Sequence, residues 1–162
     1  MTLQIYNTLS QKKEEFTPLD PLHINMYVCG VTPYDDCHLG HARAYVTFDV
    51  IRRHLLYRGY QVKYIQNFTN IDDKIIARAK ELGEDPIQLS QRYTEAYFDV
   101  MDRLGVLRAD EYPRVTDHIP EIIQLIQTLE EREKAYQIDG DVYYSIQSFS
   151  SSQLLSLPVS IY

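Results

Sequence analysis

The 162-residue chain has no tryptophan, two cysteines, fewer basic than acidic side chains and no long apolar run. Each shortage excludes something. Cys29 and Cys37 lie eight residues apart, so there is neither a dense disulfide framework nor a C-x-x-C knuckle, and on spacing alone they read as reduced thiols of a cytosolic protein. Sixteen Lys and Arg stand against 23 Asp and Glu, for a net charge of −7. That balance argues against gripping nucleic acid by bulk electrostatics, which needs a basic face. No apolar stretch approaches the ~20 residues of a membrane span. The opening MTLQIYNTLSQKKEEF lacks the apolar centre of a signal peptide. A cytoplasmic chain without a membrane partner is the expectation. Aromatics are not scarce, with 14 Tyr and 5 Phe, and 44% of the chain is hydrophobic. One globular domain with a workable core follows, not a disordered segment.

What is present reads as an alternation of strands and helices. Gln4 to Leu9 reads as a short strand, and Ser10 to Asn25, with Pro18 and Pro21, as mostly loop. Met26 to Cys29 is a short apolar run closed by Gly30, a buried strand. Helical spacing begins near Leu39. It puts Ala42, Val46, Val50 and Leu55 near one face with Arg43, Arg52 and Arg53 mostly off it, and Gly59 ends the helix as a cap. Gln61 to Phe68 alternates as a second strand. Thr69-Asn70-Ile71-Asp72-Asp73 supplies cap residues and acids for a helix ending at Gly83. Pro86 opens another helix, through Leu104. Ile119 to Ala135 is a further helix, and Tyr136 to Ile146 reads as a hairpin turning at Asp139-Gly140. The order predicts an α/β fold with a parallel sheet.

The stretch YVCGVTPYDDCHLGHARAYVTFD, residues 27–49, carries the chemistry. A strand end at Cys29-Gly30 is followed by a helix start at His38-Leu39-Gly40-His41. Helix N-termini present free N–H groups and partial positive charge, and in open α/β sheets ligands collect at the carboxyl ends of strands. His38 and His41 are three apart and share a helix face. Both can donate to phosphate oxygens, and Gly40 lets a ligand approach the backbone. Read alone, H-x-G-H is a weak match, and a pair of polar caps is the favoured reading.

The wider run from Met26 to Ile75 resembles the start of cysteinyl-tRNA synthetases, class I aminoacyl-tRNA synthetases with a Rossmann-type catalytic domain. His38-Leu39-Gly40-His41 is similar to their HIGH signature, and Tyr27-Val28-Cys29-Gly30 to the strand bearing their first zinc ligand. TNIDDK (69–74), IYNTL (5–9) and PRVTDHIPEII (113–123) are similar to further blocks of the family, so the likeness runs over residues 3–147 in order. The resemblance implies that ATP and cysteine form cysteinyl adenylate and pyrophosphate, and that cysteine then passes to the 3′ end of tRNA(Cys). It implies that His38, Gly40 and His41 bind ATP, with the two histidines stabilising charge on the phosphates. Gly30, Thr32 and Thr69 would line the cysteine pocket. A zinc ion would hold the substrate thiolate, which selects cysteine over serine because a thiolate is the better zinc ligand. Cys29 would be one protein ligand to it. Cys37 matches no family ligand and reads as a small, partly buried residue. Lys74, Arg43 and His118 read as surface or packing residues.

The same resemblance implies a division at 147. Residues 1–147 correspond to the N-terminal portion of the catalytic domain. Residues 148–162, a serine-rich stretch ending SSSQLLSLPVSIY, depart from the family and read as a disordered or artefactual tail. The family's remaining zinc ligands (a cysteine, a histidine and a glutamate) lie further on, as do its second signature, Lys-Met-Ser-Lys-Ser, and its tRNA-reading domain. The expectation is a monomeric fragment, inactive alone. Two other readings stay open: a ligase joining cysteine to an amino sugar in mycothiol synthesis, and a non-catalytic nucleotide-binding fragment.

Overall fold

The computed structural model describes residues 2–148; the expectation for the serine-rich tail lies outside these except for Ser148. The chain opens with an antiparallel hairpin, β1 (Gln4–Asn7) and β2 (Lys12–Glu15). β2 falls inside the expected loop. Its KKEE sequence is exposed throughout, and pairing with β1 makes it a strand rather than any burial pattern. Gln11, at φ 57°, provides the tight turn.

The centre is a parallel β-α-β unit. β3 (His23–Val28) pairs in register with β4 (Gln61–Gln66), from His23 opposite Gln61 to Val28 opposite Gln66. α1 (Leu39–Tyr57) makes the crossover that parallel pairing requires. β3 begins three residues before the apolar run, and alternation buries Ile24, Met26 and Val28. A third extended segment runs parallel on the far side of β4: the Gln66 N–H donates to the Glu111 carbonyl at 3.1 Å and the Phe68 N–H to the Pro113 carbonyl at 2.8 Å. The sequence therefore forms the expected α/β fold.

Two helices lead into that third segment. α2 (Asp73–Leu82) is capped by Asp72 and closed by Gly83 in the left-handed region, φ 68°. α3 (Pro86–Arg103) starts on the proline, with Asp85 accepting from two N–H groups. α4 (Ile119–Glu131) stops before Ala135, which instead opens the hairpin of β5 (Ala135–Ile138) and β6 (Asp141–Tyr144). Asp139 and Gly140, both at positive φ, form its two-residue turn.

The main core joins Met26, Val28, Val31, Tyr45, Tyr64, Phe68, Tyr97 and Met101. Edge-to-face contacts of Tyr97 with Tyr45 and Phe68, each at 5.4 Å, fasten α1 and α3 to the sheet. The expected apolar face of α1 is corrected here. Val46 and Val50 are exposed, whereas Tyr45, Arg52 and Leu55 are the buried residues. Arg52 goes inside because its guanidinium is paired. It donates to the Arg108 carbonyl at 2.6 Å and to both Asp110 carboxylate oxygens, and it lies 5.1 Å from the centre of the Tyr64 ring. Burial and neighbouring charges push the Tyr64 hydroxyl up to about 12.

Candidate functional site

The site forms where the parallel strands end. β3 closes at Val28, so Cys29 and Gly30 leave its carboxyl end beside Asn67, just past the end of β4. Their separation is tight. A Cβ on Gly30 would fall 1.4 Å from the Asn67 carbonyl oxygen, so only glycine fits. The Gly30 N–H donates to Asn67 Oδ1 at 2.8 Å, and the Tyr27 hydroxyl donates to the same oxygen at 2.9 Å. Asn67 Nδ2 in turn donates to Thr69 Oγ1 at 3.4 Å, and the Thr69 N–H donates to the Val31 carbonyl. From the other side, Tyr45 on α1 donates its hydroxyl to the Cys29 carbonyl at 3.2 Å. Burial holds the Tyr45 proton firmly, well above the ordinary tyrosine value.

The connection then runs through Thr32, half-buried, and Pro33, buried, to the start of α1. His38 is the N-cap, in extended backbone, and accepts the Gly40 N–H on its Nδ1 at 3.0 Å. His41 reciprocates: its Nδ1 accepts the His38 N–H at 3.3 Å. This is a capping box built from two imidazoles in place of a hydroxyl and a carboxylate. The rings stack, 4.0 Å between centres and 26° apart in plane. With both Nδ1 atoms accepting, each neutral ring carries its proton on Nε2. Burial, then the neighbouring charge of His38, hold the His41 imidazole below its ordinary value. A Cβ on Gly40 would meet the His38 ring at 2.7 Å, so a larger residue there would push that ring out of its place in the box.

The helix end offers fewer backbone donors than its position suggests. The Gly40 N–H is spent on His38 Nδ1, and those of His41 and Ala42 on the His38 carbonyl. The imidazole Nε2–H groups are the donors this end adds to the helix dipole. No carboxylate lies in its first turn to compete for an anion.

Of the expected site residues, Cys29, Gly30 and Thr69 come together at the strand ends, linked through Asn67, and His38, Gly40 and His41 form the helix-start group. Thr32 lies on the connection between the two groups. Cys37 is half-buried against the main core, and burial pushes its thiol up. Lys74 lies over the Tyr34 ring at 5.8 Å, while Arg43 and His118 are exposed. Asn67, Tyr45 and Tyr27 were not singled out by sequence. No local signal marked them: Asn67 fell within the strand expected through Phe68, which ends at Gln66 and leaves Asn67 at the carboxyl edge of the sheet. A groove lined by Tyr6, Phe16, Leu19 and Ile24 opens at the other end of β3 and touches none of these residues.

Toward the zinc ion that the family resemblance implies, the described residues offer Cys29 and no complete donor set. Such sites take three or four protein ligands. Cys29 is an exposed thiol, and no group of three His, Cys, Asp or Glu side chains converges among the described residues.

No described helix is long and apolar enough to cross a membrane. Residues 15–158 match the family described as tRNA synthetases class I (C) catalytic domain. The cysteine–tRNA ligase of Trichormus variabilis is 58% identical over 156 residues, 96% of this chain and 32% of that protein. That of Endomicrobium trichonymphae is 53% identical over the same share of this chain. The chain thus spans about a third of the length of these relatives. Among solved structures, Mycobacterium tuberculosis methionyl-tRNA synthetase in complex with methionyl-adenylate superposes with a TM-score of 0.65 over 71% of this chain, at 20% identity, a likeness of fold. A Rossmann-like sheet with its helix-start histidines, matched over most of its length, makes this chain a member of the class I tRNA synthetase (C) catalytic domain family.

Proposed function

We propose that this chain is part of a cysteine–tRNA ligase, which activates cysteine with ATP and transfers it to tRNA(Cys). The observation that carries the reading is the double-imidazole capping box at the start of α1, next to the Cys29–Gly30 strand end. The naming of relatives more than half identical to this chain supports it.

In this reading the cysteine carboxylate attacks the α-phosphorus of ATP. A carboxylate oxygen–phosphorus bond forms, the bond to the β-phosphate oxygen breaks, and pyrophosphate leaves. Negative charge grows on the phosphate oxygens during that displacement. The Nε2–H groups of His38 and His41 stabilise it, preorganised because both rings are already locked through Nδ1. Gly40 keeps the surface between them open for the nucleotide. Gly30, Thr32 and Thr69 hold the cysteine at the strand ends. The Gly30 N–H is spent on Asn67, and its carbonyl oxygen accepts from the Cys29 thiol at 3.8 Å.

The test is cysteine-dependent ATP–pyrophosphate exchange by the full-length ligase of which this chain is proposed to be part, with serine as the competing amino acid. Exchange with cysteine, at least ~100-fold weaker with serine, is expected. No exchange with any amino acid sinks the reading.

A further inference from the structure

We infer that Asn67 is a positioning residue for the amino-acid side of the site, fixing the Cys29–Gly30 peptide plane and the Thr69 hydroxyl together. The inference rests on the proposed function and goes beyond it by naming a residue that needs no contact with substrate.

The Cys29–Gly30 peptide is trans, so its carbonyl and its N–H point in opposite directions. Both ends are held. The Cys29 carbonyl accepts from Tyr45 Oη at 3.2 Å, and the Gly30 N–H donates to Asn67 Oδ1 at 2.8 Å. Without those two bonds this plane is the loosest in the turn, because a glycine follows it and glycine accepts a wide range of backbone angles. Rotation of the plane would re-aim the Cys29 side chain and shift the path into Val31.

Asn67 grips the same glycine twice. Its side-chain oxygen takes the Gly30 N–H, while its own carbonyl occupies the space a Gly30 Cβ would need. Its Oδ1 also accepts the Tyr27 hydroxyl at 2.9 Å, which holds the amide in one orientation. With the oxygen so fixed, Nδ2 faces Thr69 Oγ1 at 3.4 Å. Thr69 Oγ1 accepts there, so its own proton is directed elsewhere and is available to a ligand. One amide thus sets three polar groups from two strands. An aspartate of the same size keeps the two accepted bonds and loses the donated one. A leucine of the same size loses all three.

Asn67→Leu and Asn67→Asp are made in the same full-length ligase, and ATP–pyrophosphate exchange is measured with cysteine and with ATP varied. Misplacement by a fraction of an ångström raises KM for cysteine about ten- to a hundredfold in Asn67→Leu, with KM for ATP within about twofold of wild type. Asn67→Asp recovers most of that loss. Equal changes in both KM values, or none in either, overturn the inference, as does an Asn67→Asp as impaired as the leucine variant. If Asn67→Leu does not fold, Tyr45→Phe reads the other end of the same peptide. A selective rise in KM for cysteine again supports the clamp, and its absence overturns it. A wild type without cysteine-dependent exchange overturns the proposed function and this inference with it. A wild type that exchanges while the variants match it overturns the inference alone.

Discussion

The two parallel strands end in the same way and prepare opposite surfaces. β3 leads into α1 and β4 into α2, and both helices begin next to the carboxyl edge of the sheet. At α1 the caps are two imidazoles, with no acid in the first turn. At α2 the cap is Asp72, which takes the Lys74 N–H at 2.9 Å, and Asp73 follows in the first turn. The second helix has answered its own dipole with carboxylates. The first leaves its positive end without one and adds two N–H donors. Position in an α/β sheet nominates both ends for anion binding; the cap chemistry selects one.

The largest way to break this comparison is at the glycines. Gly30→Ala puts a methyl 1.4 Å from a backbone oxygen that no side-chain rotation relieves. It is expected to cost more than ~4 kcal/mol, read as loss of cooperative unfolding or a large fall in urea midpoint. On the α2 side, Gly83→Ala meets nothing within 4 Å and suffers only its positive φ of 68°. It is expected to cost ~1 to 2 kcal/mol. Equal costs at the two glycines would mean that the space against Asn67 is not what demands glycine at position 30.

His41→Asn tests the donors next. Asparagine can still accept the His38 N–H, so the cap survives, but the Nε2–H is gone. The rate of cysteine-dependent exchange is expected to fall by ~10² to 10³, with the melting temperature little changed at pH 7.5. Asp72→Ala is the counterpart on α2. It removes a cap worth ~1 kcal/mol and is expected to lower stability by that amount, with exchange within about threefold of wild type. If Asp72→Ala lost as much exchange as His41→Asn, the division of labour between the two helix ends would be wrong.

Local signals account for what the sequence made legible. Pro86, Gly59, Gly83 and the Asp139–Gly140 turn all act through their own backbone angles, and the structure has them where spacing put them. Pairing across the chain was harder to read. Arg52 looked like a solvent-facing charge until Asp110, 58 residues on, received it. Asn67 looked like one more polar residue of an alternating strand until Gly30, 37 residues back, came against it. α4 shows a third case. Its sequence has an apolar stripe like that of α2, yet α2 buries Ile75 and Ala79 while α4 buries no residue among those described. Periodicity tells which face is apolar; only a partner decides whether that face is covered. The site divides along the same line, since the histidine cap is a local motif and the clamp around Gly30 is not.

The smallest effect is one of pH. The His41 imidazole titrates below its ordinary value near 6.5 because it is partly buried and stands 4.0 Å from the His38 ring. Protonating it would also put a proton on the Nδ1 that accepts from the His38 N–H. Between 6.5 and the lower folded value, the unfolded chain therefore binds more protons than the folded one, so stability is lost as pH falls through that window. The lowered carboxyls, Glu14 and Asp20, act only in the acid range beneath it. Urea midpoints for wild type and His41→Asn at a series of pH values from 7.5 down to about 5 isolate the contribution. The wild-type midpoint should fall more steeply below 6.5 than that of the variant. Parallel curves would mean that the Nδ1 bond places no constraint on protonation, and that the α1 cap is held by the helix and not by its two rings.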